Sequence, residues 1–150
     1  MVMEQDYLFE FYSSLHHYTA ERFIVRCFDD RFRPAFEAFL AYTRIKHFDP
    51  ESVAGGVKIF ASPEEESDRA YMLRELEKSI RLHKTSQVML FSHHDCGAYG
   101  GFGTFDNDHK KEFEHHAAEH KKAREVIWEK FPDVQIESFF IDDKGIIKLS

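Results

Sequence analysis

Two short segments of this chain are apolar through their centres, with no alternation of polar and apolar positions: RFIVRC at residues 22–27 and QVMLFS at residues 87–92. A strand of that kind has to be covered on both faces, as it is inside a parallel sheet. Helical patterns separate the two. Pro34 stands where a first helical turn tolerates it, and Phe32, Phe36, Phe39 and Leu40 follow at i, i+4, i+7 and i+8. Ser62, Pro63 and Glu65 resemble a helix start with a capping box, ahead of an apolar stripe at Met72, Leu73, Leu76 and Ile80. Further strands are predicted at residues 53–60, despite Gly55 and Gly56, and at residues 134–141. Asp143-Lys144-Gly145 reads as a turn into a short final strand at Ile146-Ile147, and residues 107–131 as a highly charged helix. Strands alternating with helices predict an α/β fold: a three-layer domain with a mainly parallel central sheet flanked by helices. Aromatics at helical spacing over residues 7–18 predict an N-terminal helical arm of about residues 1–20.

The chain has 150 residues without an internal repeat or a Gly/Ser-rich linker, which implies a single domain over residues 1–150. Its 20 basic and 27 acidic side chains give a formal charge of −7. That balance argues against nucleic acid and against an anionic membrane surface, both of which need clustered Lys and Arg. No apolar run approaches the roughly 18 residues of a bilayer span. Glu4 and Asp6 stand where a signal peptide has its basic region, so a cytoplasmic protein is expected. Two cysteines cannot build a disulfide framework; in a reducing compartment such a pair points to metal binding or catalysis.

Cys27, Asp29 and Arg31 occupy alternate positions past the first strand, so in an extended segment their side chains leave from the same side. After the third strand, His93 and Cys96 are spaced H-x-x-C across a turn that Gly97 helps to close. Both groups lie beyond the C-terminal ends of strands, where open α/β sheets place ligands. Two thiolates and one imidazole match Zn2+, and three protein ligands leave a fourth tetrahedral position for water. His94 competes with His93, but the spacing favours His93 and leaves His94 as a neighbour or an exposed residue. His116 and His120 lie four apart among Lys110, Lys111, Lys121 and Lys122, which reads as a solvated helix surface. The segment from Gly97 to Gly103 lacks the Lys-Ser/Thr of a phosphate loop and the spacing of a dinucleotide fingerprint.

C-x-D-x-R at residues 27–31 followed by H-x-x-C-G at residues 93–97 resembles the beta class of carbonic anhydrases. Ala54-Gly55-Gly56 and the ending FFIDDKGIIKL are also similar to that family, so the resemblance runs over most of the chain from Arg22 onward. It implies a zinc lyase interconverting carbon dioxide and bicarbonate, with Cys27, His93 and Cys96 as metal ligands and zinc as cofactor. Asp29 and Arg31 would form the dyad that orients a zinc-bound hydroxide. The resemblance also implies a homodimer or higher homo-oligomer, paired through the N-terminal helix and the sheet edge. Ser52-Val53 stand where the family usually has Arg-Asn, which changes the packing of that loop. Apolar pocket walls are expected from Phe28, Tyr99 and Phe102. Two other readings stay open from sequence: hydrolysis of carbon disulfide or carbonyl sulfide at the same site, and a non-catalytic zinc-bearing binding protein. Whether Asp29 or water completes the metal shell also stays open.

Overall fold

The computed structural model describes residues 4–150. Its strands are β1 (Arg22–Cys27), β2 (Phe48–Val53), β3 (Gln87–His93), β4 (Gln135–Ile141) and β5 (Ile146–Lys148), joined in one sheet of order β2-β1-β3-β4-β5. The first four are parallel, and β5 returns antiparallel to β4. The central strands send alternate residues to opposite faces. Phe23, Val25, Val88 and Leu90 meet α2 (Lys58–Ala61), α3 (Glu66–His83) and α4 (His109–Lys130), through Phe60, Met72, Leu76, Ala123 and Ile127. Ile24, Met89 and Phe91 face the other way onto α1 (Arg33–Thr43), through Phe36, Phe39 and Leu40. This is the expected α/β architecture with a mainly parallel sheet between helical layers. Each fully buried Phe, Leu or Met of these clusters contributes about 1.5–3 kcal/mol by leaving water, so the strand centres hold the layers together.

Three local expectations are corrected. The second strand covers residues 48–53, not 53–60: Gly55 at φ +80° and Gly56 at φ +56° turn the chain after Val53, and α2 follows. β2 is an edge strand, which is why it tolerates Pro50 and reads as half exposed. The helix α3 begins at Glu66 with Glu65 at its N-cap and no side-chain cap, so Ser62 and Glu65 form no capping box. Ser62 closes α2 instead, its backbone N–H donating to the Lys58 carbonyl. Residues 4–20 form no helix; Tyr7, Leu8, Phe9, Phe11, Tyr12 and Leu15 of this arm are all exposed. An isolated helix of that length has too little of its own stability when its apolar side has nothing to pack on. The part of the expected arm at residues 1–3 lies outside the described residues. Among those described, no helix is long and apolar enough to cross a membrane.

The topology sets up the site. Phe23 pairs with Val88 and Val25 with Leu90, a register that puts Cys27 beside Ser92 at the C-terminal end of the sheet, one residue before His93. The loop after β2 crosses under this end so closely that a Cβ on Gly56 would stand 2.3 Å from the Phe91 carbonyl oxygen and 2.8 Å from the Cys27 nitrogen. Only glycine allows that approach, at a φ that other residues adopt reluctantly.

Candidate metal centre

Cys27 ends β1 and His93 ends β3. Two residues later Asp95 takes a left-handed conformation, φ 54°, and turns the chain so that Cys96 comes back toward the sheet. The Cys96 carbonyl accepts from the N–H groups of Tyr99 at 3.0 Å and Gly101 at 2.9 Å, which pins the turn. The Cys27 and Cys96 sulfurs and a ring nitrogen of His93 then lie within 4.8 Å of one another, and all three side chains are buried. The Gly55 N–H donates to the Cys27 Sγ at 3.3 Å.

The tautomer of His93 follows from its partner. Its Nδ1 lies 2.7 Å from the His94 carbonyl oxygen, which only accepts, so Nδ1 carries the proton and Nε2 the lone pair. Nε2 is buried with no hydrogen-bond partner among the described residues. A buried polar atom left unpaired costs about 1–3 kcal/mol. An imidazole lone pair with that cost, facing two sulfurs, is what a zinc ion would relieve, and soft sulfur with imidazole is the donor set zinc takes. The Phe32 ring stacks on His93 with centroids 4.6 Å apart and fixes its plane.

Asp29 and Arg31 form a tight pair beside this point. Asp29 accepts from the Arg31 backbone N–H at 2.9 Å, from Nε at 3.1 Å and from Nη2 at 2.7 Å. Its Oδ2 lies 3.8 Å from His93 Nε2. The Arg31 guanidinium reaches a second acidic residue as well: Nη1 donates to Asp95 Oδ2 at 3.0 Å and Nη2 to the Asp95 carbonyl at 2.9 Å. Sequence reasoning missed Asp95. It stands inside the H-x-x-C motif, and the only available signal was an acidic residue where a left-handed turn was needed.

The electrostatics follow these contacts. The Arg31 hydrogen bonds hold the Asp29 carboxyl at about 2 against the opposing effect of burial. The Cys96 thiol donates to Cys27 and, helped by His93 and against burial, brings the Cys27 thiol down to about 4. That same bond, with burial, pushes Cys96 up. For His93, burial opposes protonation, but the Cys27 and His94 contacts outweigh it and the net shift is upward.

The structure brings Cys27, Asp29, Arg31, His93 and Cys96 together. It corrects the reading of His116 and His120 as solvated surface: both are 0% exposed. The face of α4 that carries them packs toward the sheet, where His120 Nε2 meets Ser92 Oγ at 2.9 Å and the His116 ring lies 4.7 Å from Tyr99 and 5.0 Å from Phe140. Burial brings both imidazoles down to about 3, so they are neutral at neutral pH. The nearby lysines occupy the exposed side of the helix. His94 is partly exposed, with its Nδ1 2.6 Å from Glu112 Oε1. Of the expected pocket walls, Phe28 is exposed, Tyr99 donates its hydroxyl to Glu119 at 2.9 Å, and Phe102 packs edge-on against His94.

A parallel sheet that delivers two sulfurs and an imidazole to one point beyond its strand ends defines a class of α/β chain with a candidate zinc centre. Solved carbonic anhydrases share the fold. The beta-carbonic anhydrase isoform I of Trichomonas vaginalis superposes with a TM-score of 0.62 at 14% identity, covering 93% of this chain and 87% of that one. The carbonic anhydrase of Streptococcus mutans gives a TM-score of 0.55 at 18% identity, covering 92% and 88%. The model of the family described as "Putative carbonic anhydrase" matches residues 19–149, and the chain belongs to that family. An uncharacterized protein of Rickettsia conorii is 35% identical over 69 residues, which are 45% of this chain and 37% of that protein. An uncharacterized protein of Rickettsia bellii is 33% identical over 69 residues, covering 42% of its length. The match therefore spans about two fifths of these curated relatives.

Proposed function

We propose that this protein is a zinc-dependent carbonic anhydrase that interconverts carbon dioxide and bicarbonate. The observation that carries the reading is the unpartnered, buried His93 Nε2 facing Cys27 and Cys96, with an Arg31-clamped carboxylate 3.8 Å away. Cys27, His93 and Cys96 would hold the ion. Zinc bound there supplies Lewis acidity, which brings the pKa of a coordinated water from roughly 15.7 to about 7.

The remaining chemistry belongs to the chain. Asp29 stays ionised through the working range, so it accepts and never donates, and it fixes the direction of a water O–H placed against it. Arg31 keeps that carboxylate oriented by bonding it through both Nε and Nη2. Beside Gly55, whose N–H holds Cys27, lies a surface cavity of about 340 Å³ whose walls mix Val53, Ala54, Ile59 and Ala98 with Lys58, Glu64, Asp68 and Tyr71. The protein is proposed to work in the cytoplasm as a homodimer or higher homo-oligomer of single zinc-binding domains. Supporting the assembly is the row of exposed aromatic and aliphatic residues from Tyr7 to Leu15, which a second copy would cover.

The test is stopped-flow hydration of carbon dioxide with zinc quantified in the same untagged sample. The expected result is one ion per chain at the thiolate site and a rate well above buffer. A fully loaded protein with no rate above buffer overturns the proposal. Sulfide release from carbonyl sulfide faster than carbon dioxide turnover moves the substrate to the C=S class.

A further inference from the structure

We infer that the chain carries a second site for a divalent transition ion, built by His94, His109 and Glu112. Their ligand atoms lie within 4.8 Å of one another, without any residue of the first centre. His109 opens α4 and Glu112 follows one turn later, the i, i+3 spacing by which one helix face offers an imidazole and a carboxylate to the same ion. His94 comes from the other side, held by its backbone N–H to the Ile141 carbonyl at 2.8 Å.

Three features favour an ion over a simple hydrogen-bonded cluster. The first is ring placement: two imidazoles bound to one tetrahedral zinc at ~2.0–2.1 Å would set their centroids about 5 Å apart. The His94 and His109 centroids are 5.2 Å apart. The second is the donor inventory. Glu112 Oε2 takes the Asp95 N–H at 2.9 Å and keeps a further lone pair, while Oε1 lies 2.6 Å from His94 Nδ1, so Nδ1 and Oε1 stand side by side where one ion could replace the proton between them. With the ion on Nδ1 the ring proton moves to Nε2, and the Asp95 N–H still anchors the carboxylate from behind. The third is surroundings. Glu112 is 1% exposed, the Phe102 ring packs 4.6 Å from both imidazoles, and a cavity of about 300 Å³ lined in part by His109, Glu112 and Asp142 offers room for water ligands. Lys110, also on that cavity, lies 3.8 Å from Glu114 and is not paired with Glu112.

Two imidazoles and a carboxylate without sulfur make a harder donor set than the first centre, suited to zinc or cobalt. The two sites meet at Asp95, whose N–H binds Glu112 and whose carboxylate binds Arg31. The inference stands on this cluster and does not require the activity proposed above.

The test titrates the untagged, chelator-stripped full chain with Co2+, counts retained metal by elemental analysis after desalting, and follows the thiolate-to-cobalt charge-transfer band that only the sulfur site can give. The wild type is expected to retain two ions per chain, the second adding no charge-transfer intensity. His109 is exposed, so His109→Ala is expected to fold, retain one ion and keep that band unchanged. A wild type that retains a single ion with the full band overturns this site and leaves the first standing. A His109→Ala protein that still retains two ions also overturns it. One ion without the band, lost in His109→Ala, supports this site and sinks the sulfur centre.

Discussion

Lowering the pH tests the two imidazoles buried behind the candidate centre. His116 and His120 are wholly shielded, and burial brings both from 6.5 to about 3. In the unfolded chain they titrate near 6.5. Between these values the unfolded chain binds protons that the folded one refuses, so stability is full above about pH 6.5 and falls as the pH drops toward 3. From pH 7 to pH 5.5 each imidazole withdraws about 1.2 kcal/mol, together ~2.5 kcal/mol, a large share of a typical folding free energy of about 5–15 kcal/mol. His116 isolates half of this effect, because neither of its ring nitrogens has a partner among the described residues. His116→Leu breaks no hydrogen bond and removes a buried unpaired group. It is therefore expected to gain about 1 kcal/mol at pH 7 and to lose about 1.2 kcal/mol less than the wild type on going to pH 5.5. Urea unfolding of both proteins at both pH values, in saturating zinc, measures the difference; the titration of Cys27, Cys96 and His93 is common to the two and cancels. Equal losses in both would show that His116 takes up a proton while folded, and would refute the packing of α4 on the sheet.

Two further substitutions separate chemistry from architecture. Asp29→Ala is expected to keep its zinc and lose about 10–100-fold in carbon dioxide hydration, as removal of outer-shell partners does; unchanged stopped-flow rates would remove Asp29 from the mechanism. Gly56→Ala would put a methyl 2.3 Å from the Phe91 carbonyl oxygen at φ +56°, and is expected to cost more than about 2 kcal/mol in urea unfolding and to loosen zinc retention. A Gly56→Ala protein as stable as the wild type would mean that the loop after β2 does not pass beneath Cys27.

The parts legible in the sequence are those whose signal is local. Ile24-Val25 and Val88–Phe91 announce central strands because both their faces are covered, and the order of C-x-D-x-R and H-x-x-C brings Cys27, His93 and Cys96 to one sheet end once the strands are known to be parallel neighbours. β2 escapes this reading because an edge strand can hold Pro50 and Glu51 without cost, while Val57, Ile59 and Phe60, which look like strand, are needed to cover the core from α2. α4 is legible as a helix over residues 107–131, but its buried face is not, because four of its buried positions are Glu112, His116, Glu119 and His120. A hydrophobic period counts these as polar, yet they are buried: Glu112 is satisfied by His94 and Asp95 and His120 Nε2 by Ser92, while His120 Nδ1 and both His116 nitrogens have no partner among the described residues. The arm at residues 7–18 has helical spacing, but only Tyr18 packs on the domain, against His47 and His83, while Tyr7 to Leu15 stay exposed, and spacing alone cannot supply their partner.

Arg31 was legible as half of a dyad, but its second role lies 64 residues away in sequence and shows only in space. Its guanidinium divides its donors, Nε and Nη2 toward Asp29, Nη1 and Nη2 toward Asp95, and so ties the loop after β1 to the turn that carries Cys96. A lysine keeps the charge but presents three donors from one point, and cannot bond two carboxylates and a carbonyl in a plane. Arg31→Lys is therefore expected to let the Asp29 carboxyl rise from about 2 toward its ordinary value, to retain zinc, and to lose about 10–100-fold in hydration rate. Asp95→Asn keeps the carbonyl contact, but its single side-chain oxygen can serve only one of Arg31 Nη1 and the Phe102 N–H; with Nη2 still bonded to both Asp29 and the Asp95 carbonyl, it should lose less. Stopped-flow rates on zinc-quantified samples rank the two. If Arg31→Lys ran at the wild-type rate, charge alone would suffice at this position, and the planar bridge between the two loops would have no part in orienting Asp29.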